Sequence, residues 1–187
     1  MLWVRLQAYD TFVRDGQVVF AGNDAWYHLR MVNYTVRNWP ATMPFDPWSY
    51  FPYGTTQGQF GTLYDQLVAT GALVVGLGAP SDQIIAKSLL VAPAVFGVLA
   101  IVPTFLIGRR LAGRGAALFG VAVLALLPGT FLQRTLVGFA DHNGAEPLFM
   151  GMAAFALMVA LGVAVRERPV WELVAERNWE ELRWPTI

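Results

Sequence analysis

Three long apolar stretches dominate this sequence and decide what kind of fold it can adopt. Residues 84–108 contain a single charge, Lys87, and residues 115–132 and 147–165 contain none. A helix needs roughly 20 apolar residues to cross the hydrocarbon core of a bilayer, and each stretch is close to that length. Only 14% of the chain is charged, against roughly 25% in soluble domains. We therefore predict an all-α, polytopic membrane protein with three transmembrane helices within residues 83–166.

Smaller features within and before these stretches refine the prediction. Pro93, Pro103 and Pro128 lie inside the apolar runs, where we expect kinks because neighbouring helices can satisfy the freed backbone groups. The apolar stretch 67–79 is too short to cross a bilayer, so it is predicted to be an interfacial or lead-in helix.

Three arginines indicate the orientation of the predicted spans. Arg109, Arg110 and Arg114 lie in the short connection between the first two spans, and the positive-inside rule places such a connection in the cytoplasm. Residues 1–82, predicted to be the end of an earlier span and a long external loop with short helices, are then extracytoplasmic, as is the loop 133–146. Residues 167–187 become a cytoplasmic amphipathic tail. The expected location is the cell membrane, in contact with lipid.

The predicted orientation brings two polar clusters to the extracytoplasmic side. Asp24 and His28 would share one helix face, and Arg134, Asp141, His142 and Asn143 occupy the loop before the last span. Carboxylate, imidazole and amide groups suit Mg²⁺ or Mn²⁺. Taken separately, the first cluster also fits a capped interfacial helix and the second a simple turn.

Charge and cysteine content exclude other classes of site. The formal net charge is zero, which argues against nucleic-acid binding, and the absence of cysteine excludes disulfides and thiolate metal sites.

Both polar clusters resemble motifs of a known family, the catalytic subunit of oligosaccharyltransferase, and most closely its archaeal form from halophiles. Asn23–Arg30 resembles the family's first acidic motif, and Gly138–Asn143 its second. Residues 44–48 and 58–67 are similar to the long first external loop of archaeal members. The resemblance implies the N-terminal fragment of a GT-C type glycosyltransferase transmembrane domain, inactive by itself.

The same resemblance implies the reaction and the roles of individual residues. The expected reaction is metal-dependent transfer of an oligosaccharide from a dolichyl phosphate carrier to the asparagine of a sequon in an acceptor polypeptide. By resemblance, Asp24 and Asp141 ligate Mn²⁺ or Mg²⁺, Asp24 also helps to hold the acceptor amide, and Arg134 lies beside them. The family's spacing favours Asn143 as the third ligand, with His142 as the alternative.

Two other functions fit parts of the sequence. One is a related transferase that uses polyprenyl-phosphate sugars, such as a protein O-mannosyltransferase; the second motif argues against it. The other is a non-enzymatic transporter in which Asp24, Lys87 and Asp141 line an ion route. These groups lie at predicted span ends and in external loops, which argues against a transporter.

Overall fold

Helices make up most of the computed structural model, which describes residues 1–56, 63–164 and 169–179. The α-helices are α1 (Leu2–Leu6), α2 (Tyr9–Phe12), α3 (Asp24–Arg37), α4 (Leu63–Val75), α5 (Asp82–Leu99), α6 (Ile101–Leu126), α7 (Thr130–Arg134), α8 (Glu146–Ala164) and α9 (Val170–Ala175), with a 3₁₀ turn at His142–Gly144.

Two very short antiparallel ladders qualify the all-α prediction. β1 (Val13–Arg14) pairs with β2 (Gln17–Val18), and β3 (Phe45–Asp46) pairs with β4 (Thr55–Thr56). The first ladder forms because Asp15 and Gly16 both have positive φ, the backbone conformation of a two-residue hairpin turn.

The arginine-rich stretch contains a sharp reversal of the chain. α6 has non-helical backbone at Gly113, with φ 82° and ψ 179°. A Cβ placed on Gly108 would lie 3.0 Å from Ala117 Cα, whereas nine residues of straight helix would hold these positions about 13 Å apart. The two halves of α6 therefore pack against each other as a hairpin, and helix extends into the predicted loop on both sides of Gly113.

Two prolines set helix ends that differ from the predicted span limits. α5 ends at Leu99 and α6 begins at Ile101, because Pro103 has no N–H to offer the Leu99 carbonyl. α6 ends at Leu126, six residues before the predicted end, because the residue before Pro128 is extended, with ψ 120°. Pro128 thus terminates a helix where a kink was expected.

Two apolar stretches in the described part of the chain are long enough to cross a membrane. They are Asp82–Leu126, which contains the reversal at Gly113, and His142–Val163. Their outer surfaces expose large apolar side chains such as Phe119 and Met150. α8 begins one residue before the third predicted span and is described as far as Ala164, while residue 165 lies outside the described residues.

The buried core lies between α3, α4 and α5. Val32 of α3, Ala69 and Ala72 of α4, and Leu89 and Leu90 of α5 are fully buried. One side of α4 is therefore buried in the protein, so residues 67–79 are not purely interfacial, and the alternative of a lead-in helix stays a prediction. In the predicted tail, α9 buries Leu173 and exposes Trp171, while residues 167–168 and 180–187 lie outside the described residues.

Candidate metal centre

The first polar cluster places its histidine inside the protein. His28 lies on the inward face of α3 with Ala25, Val32 and Thr35, and it is only 1% exposed. Its Nδ1 lies 2.7 Å from Oδ1 of Asp65, a buried residue of α4. The packing of α3 on α4 thus forms a buried imidazole–carboxylate pair.

Backbone hydrogen bonds fix the second polar cluster beside this pair. Val137 N–H donates to the Arg5 carbonyl at 2.9 Å, and Ala21 N–H donates to the Gly138 carbonyl at 3.0 Å. Gly138 has φ +98°, and a Cβ there would overlap the Phe12 ring. The loop before α8 is therefore anchored to the N-terminal segment, and this brings Asp141 to His28.

One buried carboxylate oxygen is the centre of the resulting cluster. Asp141 Oδ1 lies 2.7 Å from His142 Nδ1 and 3.5 Å from His28 Nε2, and the two ring nitrogens are 3.3 Å apart. By the usual criteria of distance and angle, this oxygen accepts no hydrogen bond from the described residues, although both imidazole nitrogens lie close to it. A buried polar atom of this kind costs free energy unless something else satisfies it.

The other oxygen of the same carboxylate has two neighbours. Asn143 Nδ2 donates a hydrogen bond to Asp141 Oδ2, and Arg134 Nη1 lies 3.5 Å from it. Arg134 itself is partly exposed. These contacts hold the carboxylate in place and leave a guanidinium facing outward beside it.

The charges of the cluster shift two pKa values in opposite directions. Burial by itself lowers the pKa of His28, but contact with Asp141 and Asp65 outweighs burial and raises this pKa to about 9. Burial also raises the pKa of Asp141, but contact with His28 and the charges of both imidazoles lower it to about 2. The carboxylate edge is therefore negative at neutral pH and attracts positive charge.

His28, Asp141 and His142 have the spacing of a metal site. Each offers one ligand atom, and these atoms all lie within 4.8 Å of one another. The point equidistant from the three atoms is about 1.9 Å from each, close to the 2.0–2.2 Å at which zinc binds nitrogen and oxygen. The residues present thus fit a divalent metal ion.

The residues predicted from sequence divide into two groups. Asp141, His142, Asn143 and Arg134 are brought together, as their proximity along the chain suggests. Asp24 lies at the exposed start of α3, one turn before His28, and it is outside the three-residue cluster. Its role as a metal ligand, like that of Asn143, stays a prediction.

Two contributors were missed by reasoning from the sequence. His28 was noted only for sharing a face with Asp24, and Asp65 was regarded as part of an external loop. Asp65 carries no local signal because its importance comes from the packing of α4 against α3. Arg30 and Asp46 form a 2.6 Å ion pair that ties α3 to the β3–β4 ladder, and this pair lies outside the three-residue cluster.

A protein-family model matches most of this chain. Residues 3–172 match the family described as "Oligosaccharyl transferase STT3, N-terminal". The chain belongs to this family. The predicted fold class, the membrane domain of a GT-C type oligosaccharyltransferase, is confirmed at that level, whereas the number of spans stays a prediction.

Individual STT3-family proteins are similar over most of this chain. The dolichyl-monophosphooligosaccharide–protein glycotransferase AglB of Haloferax volcanii is 70% identical over 185 residues, 99% of this chain and 18% of that protein. Dolichyl-phosphooligosaccharide–protein glycotransferase 3 of Archaeoglobus fulgidus is 34% identical over 76% of this chain and 16% of that protein. The chain thus spans less than a fifth of the length of these two relatives.

Solved structures of the A. fulgidus oligosaccharyltransferase have the same fold. The complex of AglB with an inhibitory peptide and a dolichol-phosphate superposes with a TM-score of 0.80 at 28% identity, over 96% of this chain and 20% of that one. The complex with zinc and sulfate gives a TM-score of 0.77 at 29% identity, over 89% of this chain and 20% of that one. These similarities favour the transferase over the O-mannosyltransferase and transporter alternatives.

Proposed function

We propose that this chain supplies the metal-binding part of an active site for N-glycosylation. Within the full-length enzyme, that site transfers an oligosaccharide from a dolichyl phosphate carrier to an asparagine of an acceptor sequon. The H. volcanii relative is named as a dolichyl-monophosphooligosaccharide–protein glycotransferase. Structures of the A. fulgidus enzyme are described with a dolichol-phosphate and with an acceptor peptide containing the NVT sequon.

The proposal rests on one observation, the buried Oδ1 atom of the Asp141 carboxylate. Its Oδ1 is negative, accepts no hydrogen bond from the described residues and has an imidazole nitrogen on either side. That environment stabilises a cation.

The chemistry of the transfer explains why such an edge is useful. The bond that breaks joins the sugar to the carrier phosphate, so negative charge grows on the departing phosphate. A divalent ion would act as a Lewis acid toward that phosphate. Arg134, partly exposed beside Asp141 Oδ2, would hold a phosphate oxygen with its guanidinium fork. Asp24, exposed at the start of α3, would hold the acceptor amide and complete the metal site.

The donor atoms bear on which metal is bound. The sequence suggested Mn²⁺ or Mg²⁺, and the A. fulgidus enzyme is described with zinc. Two imidazoles with one carboxylate favour a nitrogen-binding ion over Mg²⁺, which prefers oxygen ligands and retains water. We therefore favour Mn²⁺ among the two ions that the sequence suggested.

The proposed site faces the extracytoplasmic side of the cell membrane. The hairpin of α6 places Gly113 and its flanking arginines at one end, and the positive-inside rule assigns that end to the cytoplasm. In this topology the two halves of Asp82–Leu126 cross the membrane separately, and α8 crosses as a third span.

Asp141→Asn in the full-length enzyme tests the proposal. The change is nearly isosteric and removes the negative charge, so we expect transfer from a dolichyl-phosphate-linked donor to a sequon peptide to fall by roughly 10²–10³-fold. Asp82→Asn is the matched control, because Asp82 is an exposed carboxylate at the start of α5 that pairs only loosely with Arg37, at 3.3 Å. Near-normal transfer by Asp141→Asn at limiting metal would contradict the proposal.

A further inference from the structure

We propose that His28 is a direct ligand of the metal through Nε2, and that Asp65 is the positioning residue that orients its ring. This inference rests on the proposed function only in placing a metal at Asp141. It adds an imidazole ligand from α3 and a supporting carboxylate from α4 to residues of the two acidic motifs.

The contact with Asp65 defines which nitrogen of His28 faces the site. An ionised carboxylate can only accept hydrogen bonds, so Asp65 Oδ1, 2.7 Å away, requires the hydrogen on Nδ1. Nε2 then faces Asp141 and His142, and it is the nitrogen that would release its proton to a bound ion. Histidine metal ligands commonly donate their other N–H to a carboxylate in this way, which fixes the tautomer and the ring.

Packing around the ring prevents alternative orientations. His28 is 1% exposed and Asp65 is 3% exposed, so neither side chain can turn toward solvent without opening the α3–α4 interface. Tyr64 and Tyr27 contact the ring edge-to-face, with centroids 5.0 and 5.2 Å away. Nε2 is therefore held at one position before any ion arrives, and pre-organisation of this kind strengthens binding.

His28 supplies the third ligand position of the site, which no residue adjacent to Asp141 and His142 in sequence can supply. Asp141 and His142 are adjacent and provide two ligand atoms 2.7 Å apart, and His28 Nε2 closes the triangle at 3.3 and 3.5 Å. Without His28 Nε2, the site would keep only one imidazole and one carboxylate as ligands. We expect that change to weaken Mn²⁺ binding more than Mg²⁺ binding.

His28→Asn in the full-length enzyme separates the two roles of the ring. An asparagine amide can reach the position of Nδ1 and still donate to Asp65, but it has no atom at the position of Nε2. We expect the Kd for Mn²⁺, measured from the EPR signal of free Mn²⁺, to rise by roughly 10–100-fold, with a smaller change for Mg²⁺. Pulsed EPR of bound Mn²⁺ should show two histidine nitrogens in the wild type and one in the variant.

Asp65→Asn tests the positioning role separately. The Kd for Mn²⁺ should rise by roughly 10-fold or more, because the neutral amide holds the ring less firmly and can also present an N–H to it. Asp46→Asn is the matched control: Asp46 is also a buried carboxylate with a close partner, Arg30, but it lies outside the cluster. Its Kd for Mn²⁺ should stay within about twofold of the wild-type value.

Wild-type affinity and two coordinated nitrogens in His28→Asn would overturn the inference. Fewer than two histidine nitrogens in the wild-type enzyme would also overturn it, and this measurement does not depend on any variant folding. The proposed function fails by a different result, namely a wild-type enzyme that binds Mn²⁺ but does not glycosylate a sequon peptide.

Discussion

His142 and Asn143 are adjacent in sequence but contact different oxygens of Asp141. His142 Nδ1 lies beside the buried Oδ1, whereas Asn143 donates its amide N–H to Oδ2. An amide that donates to the carboxylate turns its nitrogen, and no lone pair, toward the site. The structure therefore favours His142 as the metal-facing neighbour, although the family's spacing favoured Asn143.

This difference predicts the order of two alanine variants in the full-length enzyme. His142→Ala removes a ligand and should raise the Kd for Mn²⁺ by roughly 10–100-fold. Asn143→Ala removes one hydrogen bond that orients Asp141 and should raise it by less, about 3–10-fold. Titration with Mn²⁺ would give both values. A larger loss in Asn143→Ala would restore the role predicted from the family's spacing.

The sequence revealed the local part of the site and missed the part that depends on packing. Asp141, His142, Asn143 and Arg134 fall within ten residues, so a short motif could identify them together. Asp65 is 37 residues from His28, and nothing near it predicts that α4 will turn its carboxylate toward α3. Side chains that support a site from another element are the hardest to predict.

At the scale of elements, close contact between α5 and the loop after α7 holds the site in place. Gly97 of α5 lies directly against Thr135. The buried Arg5 donates a hydrogen bond from Nε to Thr135 Oγ1 at 2.9 Å. A Cβ on Gly97 would lie 2.6 Å from Thr135 Cβ and 2.9 Å from Arg5 Nε. Only glycine allows this approach without displacing the loop that leads to Asp141.

Gly97→Ala should therefore destabilise the protein. Overpacking at such a contact costs about 1–3 kcal/mol, so we expect a lower thermal midpoint and weaker Mn²⁺ binding as the loop shifts. Gly71→Ala is the control, because Gly71 also lies in a helix but a Cβ there meets no atom within 4 Å. That variant should be neutral or up to about 1 kcal/mol more stable. An unchanged midpoint in Gly97→Ala would show that the loop adapts.

Apolar length predicted the long helices well, but it could not locate their ends. α8 begins within one residue of its predicted span because Glu146 and Pro147 mark its start. The end of α6 at Leu126 depends on one proline, and the hairpin depends on the backbone of Gly113. Hydropathy averages over such single residues, so it reports where helix is favoured and not where the chain turns.

At the scale of the whole molecule, the unresolved prediction is the topology. Single cysteines at Ala41, Gln133 and Ala112 of a thiol-free full-length enzyme would test it, since these residues are exposed and this chain contains no cysteine. We expect a membrane-impermeant thiol reagent to label the first two positions in intact cells and to label position 112 only after permeabilisation. Labelling of position 112 from outside would reverse the orientation and place the metal centre in the cytoplasm.

The wide separation of His28 and His142 along the chain has a consequence for biosynthesis. The two residues are 114 positions apart, and the hairpin of α6 lies between them. In the proposed topology, both reach the same compartment only after the intervening segment has crossed the bilayer and returned. An ion that joins the two would stabilise the correctly inserted chain by a free energy that grows with the logarithm of its concentration divided by its Kd. The metal site could then form only in a correctly inserted chain, because incorrect insertion would leave His28 and His142 on opposite sides of the membrane.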